Sequence, residues 1–312
     1  MTLLTNAFTS YSVVGDKEDL SDIIYMVSPT DTPFLASIPR TKAKQALHEW
    51  LTDTLASASQ NAQLEGDEPS AAAATAATRL SNTCQIAFKV PAVTGTLLAT
   101  DVAGQKDALA HQVFKRTLEL RRDMENDLLA NSAEVTGGAT EARALGGVPT
   151  WITSNDSYGT GGSQGGLGNT AATNGTQREF TEDLLKTVLK SCWDNGGDPD
   201  CVMVGSWNKQ KISEFTGNAT RMIGAADEKL VAAVSIYRSD FGDLEVIPNR
   251  FQPARTALVL QKDMWAVSYL RSPSVQKLSK NGDSERRMVI AEYTLESRNE
   301  AASGAVFDLT TS

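Results

Sequence analysis

Residues 101–131 read DVAGQKDALAHQVFKRTLELRRDMENDLLAN, and their periodicity is the strongest structural signal in the chain. Leu109, Val113, Leu120, Met124 and Leu128 share one stripe, which Phe114, Leu118 and Leu129 widen. That spacing predicts a single long amphipathic helix. At about 1.5 Å rise per residue it would span roughly 46 Å. A compact chain of 312 residues has a radius of gyration of only about 20 Å. The helix must then cross the whole molecule like a beam, which implies a plate rather than a ball. Lys115, Arg116, Arg121 and Arg122 form a basic strip on it, expected to pair with Glu119, Asp123 and Glu125.

Upstream lie two strand signals. HEWLTDTL (48–55) alternates, with Trp50, Thr52 and Thr54 opposite Leu51, Asp53 and Leu55. TCQIAFKV (83–90) alternates more cleanly, with Cys84, Ile86, Phe88 and Val90 on one face. Between them, 57–80 is polar, alanine-rich and without a core pattern. The two strands predict a ribbon with a long tip. A lone two-stranded ribbon is marginal in water, so this one needs a neighbour.

Further upstream, SDIIYMVSPTDTPFLASIPR (21–40) carries Ile23, Ile24, Tyr25, Met26, Phe34, Leu35 and Ile38, broken by Pro29, Pro33 and Pro39. Leu20, Ile23, Ile24 and Val27 predict one helical face over 16–27, with Asp16, Glu18 and Asp19 at its positive end. Ser28-Pro29 stops it, and the later prolines favour an extended path. Two readings stand at this point: a strap on its own domain, or an arm reaching onto another subunit.

Downstream of the helix, 136–178 is glycine-rich and reads as an exposed loop anchored at Val148, Trp151 and Ile152. GTGGSQGGLG (159–168) misses the phosphate-cradle register and lacks a strand–loop–helix setting. From 180 an α/β unit follows: a helix ended at Gly196 or Gly197, a buried strand CVMVGS (201–206), and a short helix from Trp207 to Phe215 capped by Ser206. Residues 235–250 and 256–271 read as strands with turns, and 275–309 ends the chain in alternating strands with a hairpin signal at Asn281-Gly282.

Composition fits a globular chain, 41% hydrophobic and 21% charged. A formal charge of −9 disfavours non-specific binding to nucleic acid or to a membrane surface. Cys84, Cys192 and Cys201 are too few and too far apart for a disulfide scaffold or a zinc site. MTLLTNAFTSYS does not resemble a signal peptide, and no stretch reaches the roughly 18 apolar residues of a membrane span. His48 and His111 have no nucleophile or ligand near them in sequence, and Asp194, Asp198 and Asp200 miss calcium-loop spacing. Neither a GxSxG, an HExxH nor a P-loop motif occurs. No catalytic, cofactor or metal residue is therefore assigned.

The order of parts, together with DLSDIIYMVSPTDTPFLASI (19–38), ALGGVPTW (144–151) and VIAEYTLESRNEAA (289–302), resembles the major capsid proteins of tailed bacteriophages. That resemblance implies an α+β, Hong Kong 97-like capsid fold. Its parts would be an N-terminal arm (1–45), an extended loop lying over a neighbour (46–95), the spine helix of a peripheral domain (96–135), a Gly-rich loop (136–179), an axial domain (180–262), and peripheral strands (263–312). It implies a homo-oligomer of hexamers and pentamers, closed around double-stranded DNA without sequence-specific binding or membrane contact. Assembly in the host bacterial cytoplasm is expected, with a separate scaffolding protein, a portal, and a cement or decoration protein as partners. Some relatives carry a scaffold-like segment ahead of the arm. Here the arm comes almost at once, so either a separate scaffold serves or a leading segment is removed.

On that reading, Ile23, Ile24, Phe34, Leu35, Trp50, Ile86 and Phe88 are the candidate assembly residues. Three alternatives compete: an encapsulin-like nanocompartment shell, a surface adhesin, and a hydrolase using paired carboxylates. Negative-stain imaging separates them.

Overall fold

The structure is a computed structural model that describes residues 31–66, 68, 76–100, 107–215, 235–280 and 282–311. The helix expected over 16–27, with Ile23 and Ile24, lies outside the described residues. In chain order the elements begin with α1 (Pro33–Ser37), β1 (Arg40–Lys42), β2 (Leu47–Thr52), β3 (Thr78–Thr83), β4 (Gln85–Lys89), β5 (Ala92–Thr94), α2 (Gly95–Ala99) and α3 (Ala108–Leu129). They continue with α4 (Val148–Trp151), β6 (Asp156–Ser157), α5 (Glu182–Asp194), β7 (Cys201–Val204) and α6 (Ser206–Glu214). The last are β8 (Ile236–Ser239), β9 (Gly242–Pro248), β10 (Ala257–Leu260), β11 (Trp265–Lys277), β12 (Ser284–Ser297) and β13 (Gly304–Val306).

The expected beam is α3, and it is shorter than its pattern. Asp107 caps it, its carboxylate accepting from Leu109 N and Ala110 N at 2.9 and 3.0 Å. A side-chain cap fixes the first turn there because those N–H groups have no partner inside the helix. Its 22 residues span about 33 Å. Leu120, Met124, Leu128 and Leu129 are buried, as the stripe predicts, but Phe114 is 56% exposed.

One sheet has the order β1-β11-β12-β4, with β5 also paired to β12. β1 runs parallel to β11, and the other pairs are antiparallel. The β11–β12 register shifts between Arg271 and Ser274, around Pro273, which has no N–H to give the ladder. A second sheet runs β6-β13-β10-β7-β9-β8. β7 and β10 are buried along their whole length for a physical reason. Cys201, Met203, Leu258 and Leu260 join the core shared with α3 and the first sheet. Val202, Val204, Ala257 and Val259 face the other core, with Leu185, Val188 and Leu189 of α5. A strand covered on both faces has no polar side to alternate with.

Three expectations change. The partner of the 47–52 strand is β3, register Leu47↔Thr83 to Thr52↔Thr78, and not the 83–90 segment. Alternation in that segment instead belongs to β4, which lies against β12 from Lys89↔Val289 to Gln85↔Tyr293. The helix expected from Trp207 starts at Ser206, so Gly205 is its N-cap. Finally, β13 and β6 pair inside the second sheet, so the last strand leaves the sheet that holds β11 and β12, and the Gly-rich stretch contributes an edge strand.

That stretch is anchored as expected, with Val148, Trp151 and Ile152 all fully buried. Gly147 is required there: a Cβ on it would lie 2.0 Å from the Ala130 carbonyl oxygen. Gly168 adopts φ +90 with Trp151 packed against it, a conformation open to glycine at little cost.

Candidate assembly interface

Two attachments hold α1 and the β2–β3 ribbon to the rest of the subunit. The first is α1. Pro33 opens this helix, and no side chain of its own caps it. Its free N–H groups go to α3: Glu125 accepts from Phe34 N at 2.8 Å and from Leu35 N at 2.7 Å. Asn249 donates to the same carboxylate at 2.6 Å, and Arg121 donates to the Thr32 hydroxyl at 3.2 Å. Burial pushes the Glu125 carboxyl above its ordinary value, and the two backbone donors pull it back. Phe34 and Leu35 sit in the central core at 0% and 3% exposure. Both belong to the same core cluster of this subunit as Leu120, Met124 and Leu128. Their prolines set the path and their own core takes the side chains.

The second attachment is the base of the β2–β3 ribbon. His48, Trp50 and Thr52 point inward and Leu47, Glu49 and Leu51 outward. Trp50 donates from its indole to the Ser297 carbonyl at 2.7 Å, and its ring lies 5.4 Å from that of Trp151. His48 Nε2 lies 3.2 Å from Glu296, whose carboxylate also accepts from Ser268, Thr41 and Arg298 at 2.9, 3.0 and 3.1 Å. The His48 hydrogen bond, with those other donors, pulls the Glu296 carboxyl down to about 2. On β3, Asn82 is fully buried and bridges Gly146 and Leu295. Trp50 is therefore a fastener within the subunit.

Beyond that base, the ribbon offers apolar surface. Leu51 is 70% exposed and Leu55 99%. A second apolar strip lies on β4. Its Gln85, Ala87 and Lys89 face α3, with Gln85 donating to Asp127 at 2.7 Å and Lys89 paired to Asp123 at 2.6 Å. Ile86 and Phe88 point the other way and are exposed. Of the candidates among the described residues, only these two lie open for another subunit, while the sequence reading missed Leu51 and Leu55. The signal was present, since Leu51 and Leu55 form the face opposite Trp50.

Glu125 was missed for a related reason. The sequence pairs it with the basic strip, yet it stands three residues before Leu128 and four before Leu129, inside the apolar stripe. A carboxylate in that phase needs buried donors. The basic strip pairs only in part as expected. Arg116 meets Glu119, Arg122 stacks 5.6 Å over the Phe251 ring, and Asp123 goes to Lys89.

Burial pushes the Cys84 thiol up to about 11 and those of Cys192 and Cys201 to about 12. No group of three or more His, Cys, Asp and Glu residues suited to a metal ion occurs among the described residues. Nor is any helix among them long and apolar enough to cross a membrane.

The model of the SU10 major capsid protein family matches residues 3–310. The major capsid protein of Escherichia phage Phieco32 is 25% identical over 338 residues, covering 96% of each chain. Among solved structures, the cyanophage A-1(L) capsid subunit superposes with a TM-score of 0.64 at 13% identity, over 99% of this chain and 100% of that one. The capsid of a native GTA particle gives 0.63 at 14% identity, over 96% and 97%.

Proposed function

The chain belongs to the SU10 major capsid protein family, with the Hong Kong 97-type fold, and is the major capsid protein of a tailed phage; from that premise we propose how it builds the shell. Subunits form hexamers and pentamers that close into an icosahedral head around double-stranded DNA. The β2–β3 ribbon lies over the adjacent subunit as the extended loop. Residues 1–45 act as the arm, α3 as the spine helix of the peripheral domain, and the second sheet with α5 and α6 as the axial domain. Closure needs heterologous contacts repeated around rings, so each copy must offer one surface and receive another.

One observation carries this reading. The ribbon is pinned at its base by Trp50, His48 and Asn82, yet leaves Leu51 and Leu55 in solvent. A ribbon built for its own subunit would turn its leucines inward.

The charge of −9 suits a lining that encloses DNA without gripping it. A separate scaffolding protein, a portal and a cement or decoration protein complete the proposed partners, and the host cytoplasm is the proposed place of assembly.

Expression of the chain with its phage's scaffold, followed by negative-stain imaging and light scattering, tests the reading. Closed shells support it. A single 33 kDa species at high concentration, across salts and with scaffold present, refutes it.

A further inference from the structure

Two exposed apolar strips stand at opposite ends of one extended run of chain. The first is the outer face of the ribbon, with Leu51, Asp53 and Leu55 all exposed. From Gln45 to Thr78 the chain carries Glu49, Asp53 and Glu65 but neither a lysine nor an arginine, so this strip is acidic. The second is on β4, where Ile86 stands beside Glu292 of β12 and Phe88 beside Ile290. Glu292 is buried and takes two guanidiniums, Arg143 at 2.6 Å and Arg271 at 2.7 Å. Two cations on one carboxylate leave a net positive charge beside Ile86 and Phe88, and the Arg271 side chain is 46% exposed. Arg79, opposite Leu51, stands nine residues before Phe88, about 30 Å of extended strand with Cys84 alone between β3 and β4. Leu51 cannot fold back onto its own Phe88 without breaking the β2–β3 or the β4–β12 ladder.

Resting on the reading that the ribbon lies over the adjacent subunit, we propose that the β4 strip of that subunit receives it. Asp53 of one copy meets the Arg143–Arg271 pair of the next, and Leu51 covers Phe88. The steps match. Arg271, Glu292 and Ile86 form one row across the sheet, and Phe88 lies two residues further along β4. Leu51 likewise lies two residues from Asp53, so each step is about 7 Å of extended chain. Charge matches as well, since an acidic strip without a cation of its own meets the cation excess around Glu292. The occupant is a second copy of this chain, because the two strips are complementary and one subunit cannot join its own pair. A contact between two different surfaces runs head to tail, and repeated around a rotation axis it closes a ring.

The test uses shells assembled from equal amounts of full-length Leu51→Cys chain and full-length Phe88→Cys chain, so that each copy carries one new thiol at an exposed position. A short bis-maleimide should give a covalent dimer on detergent gels. Shells of either variant alone should stay at the mass of one subunit, which also controls for the buried Cys84, Cys192 and Cys201. Separately, Asp53→Lys should lower shell yield about tenfold and leave the melting of the unassembled subunit unchanged. Mixed shells without the dimer overturn this contact and leave the ribbon reading standing. So does a dimer from Leu51→Cys shells alone, which would place ribbon against ribbon, and so does a normal shell yield from Asp53→Lys. Failure of the unsubstituted chain to form shells refutes the ribbon reading, and this contact with it.

Discussion

Glu125 of α3 accepts the backbone N–H of Phe34 at 2.8 Å across 91 residues of sequence. This is the joint between α1 and α3. Replacing Glu125 with Ala leaves the N–H groups of Phe34 and Leu35 and the Asn249 amide without their buried acceptor. The variant should lose about 2–4 kcal/mol in urea denaturation of the unassembled subunit, and Glu125→Gln about 1–2. Burial raises the Glu125 carboxyl, so its protonation favours the fold, a contribution complete below about 4.5 and lost as pH rises and the group ionises. The deficit of Glu125→Gln should therefore shrink between acid and neutral pH. A deficit that grows instead would contradict the burial argument.

Glu296 has the opposite sign. Its carboxyl is held at about 2 against an ordinary 4.5, so its contribution is complete above 4.5 and disappears as pH falls through 2. The loss amounts to up to about 3 kcal/mol. Thermal melting at steps between pH 5 and 2 should show it, and Glu296→Gln should flatten that part of the curve. An unchanged slope would mean that the cluster at the ribbon base does not form in solution.

Trp50 and Leu51 are neighbours with separable roles. Trp50→Ala should cost the subunit about 3 kcal/mol, because it empties the contact with Trp151 and frees the Ser297 carbonyl. Leu51→Asp should change subunit stability by less than about 0.5 kcal/mol. Its effect should fall on assembly, with shell yield dropping sharply in sedimentation. Normal shells from Leu51→Asp would remove the ribbon from the interface.

Residues 45–88 contain no lysine, so the β2–β3 ribbon and its tip have no amine for an isopeptide bond to a neighbour. Arg79 is no substitute, since its guanidinium stays protonated, and it pairs with Glu49 at 3.5 Å. Mature particles boiled in detergent should release one 33 kDa band. A ladder that survives reducing agent would refute non-covalent closure.

Periodicity and composition determined the elements. The stripe from Leu109 to Leu128, the unbroken apolar run Cys201–Val204 and the anchor at Val148 and Trp151 are local patterns, and each forms where its spacing requires. Resemblance over the whole chain then supplied their assembly into one fold. What the sequence left undecided were choices between partners. Leu47–Thr52 could pair with any alternating strand, and only the folded chain selects β3 and sends Gln85–Lys89 to β12. Strand pairing is a long-range hydrogen-bond match that alternation alone does not encode. The same holds for Phe34, Leu35 and Trp50, whose apolar character says that they are buried but not in which subunit. Glu125 is the sharpest case: its position in the stripe marks it as buried, and only the arrival of Phe34 and Leu35 in α1 supplies the donors that let a carboxyl group stay there.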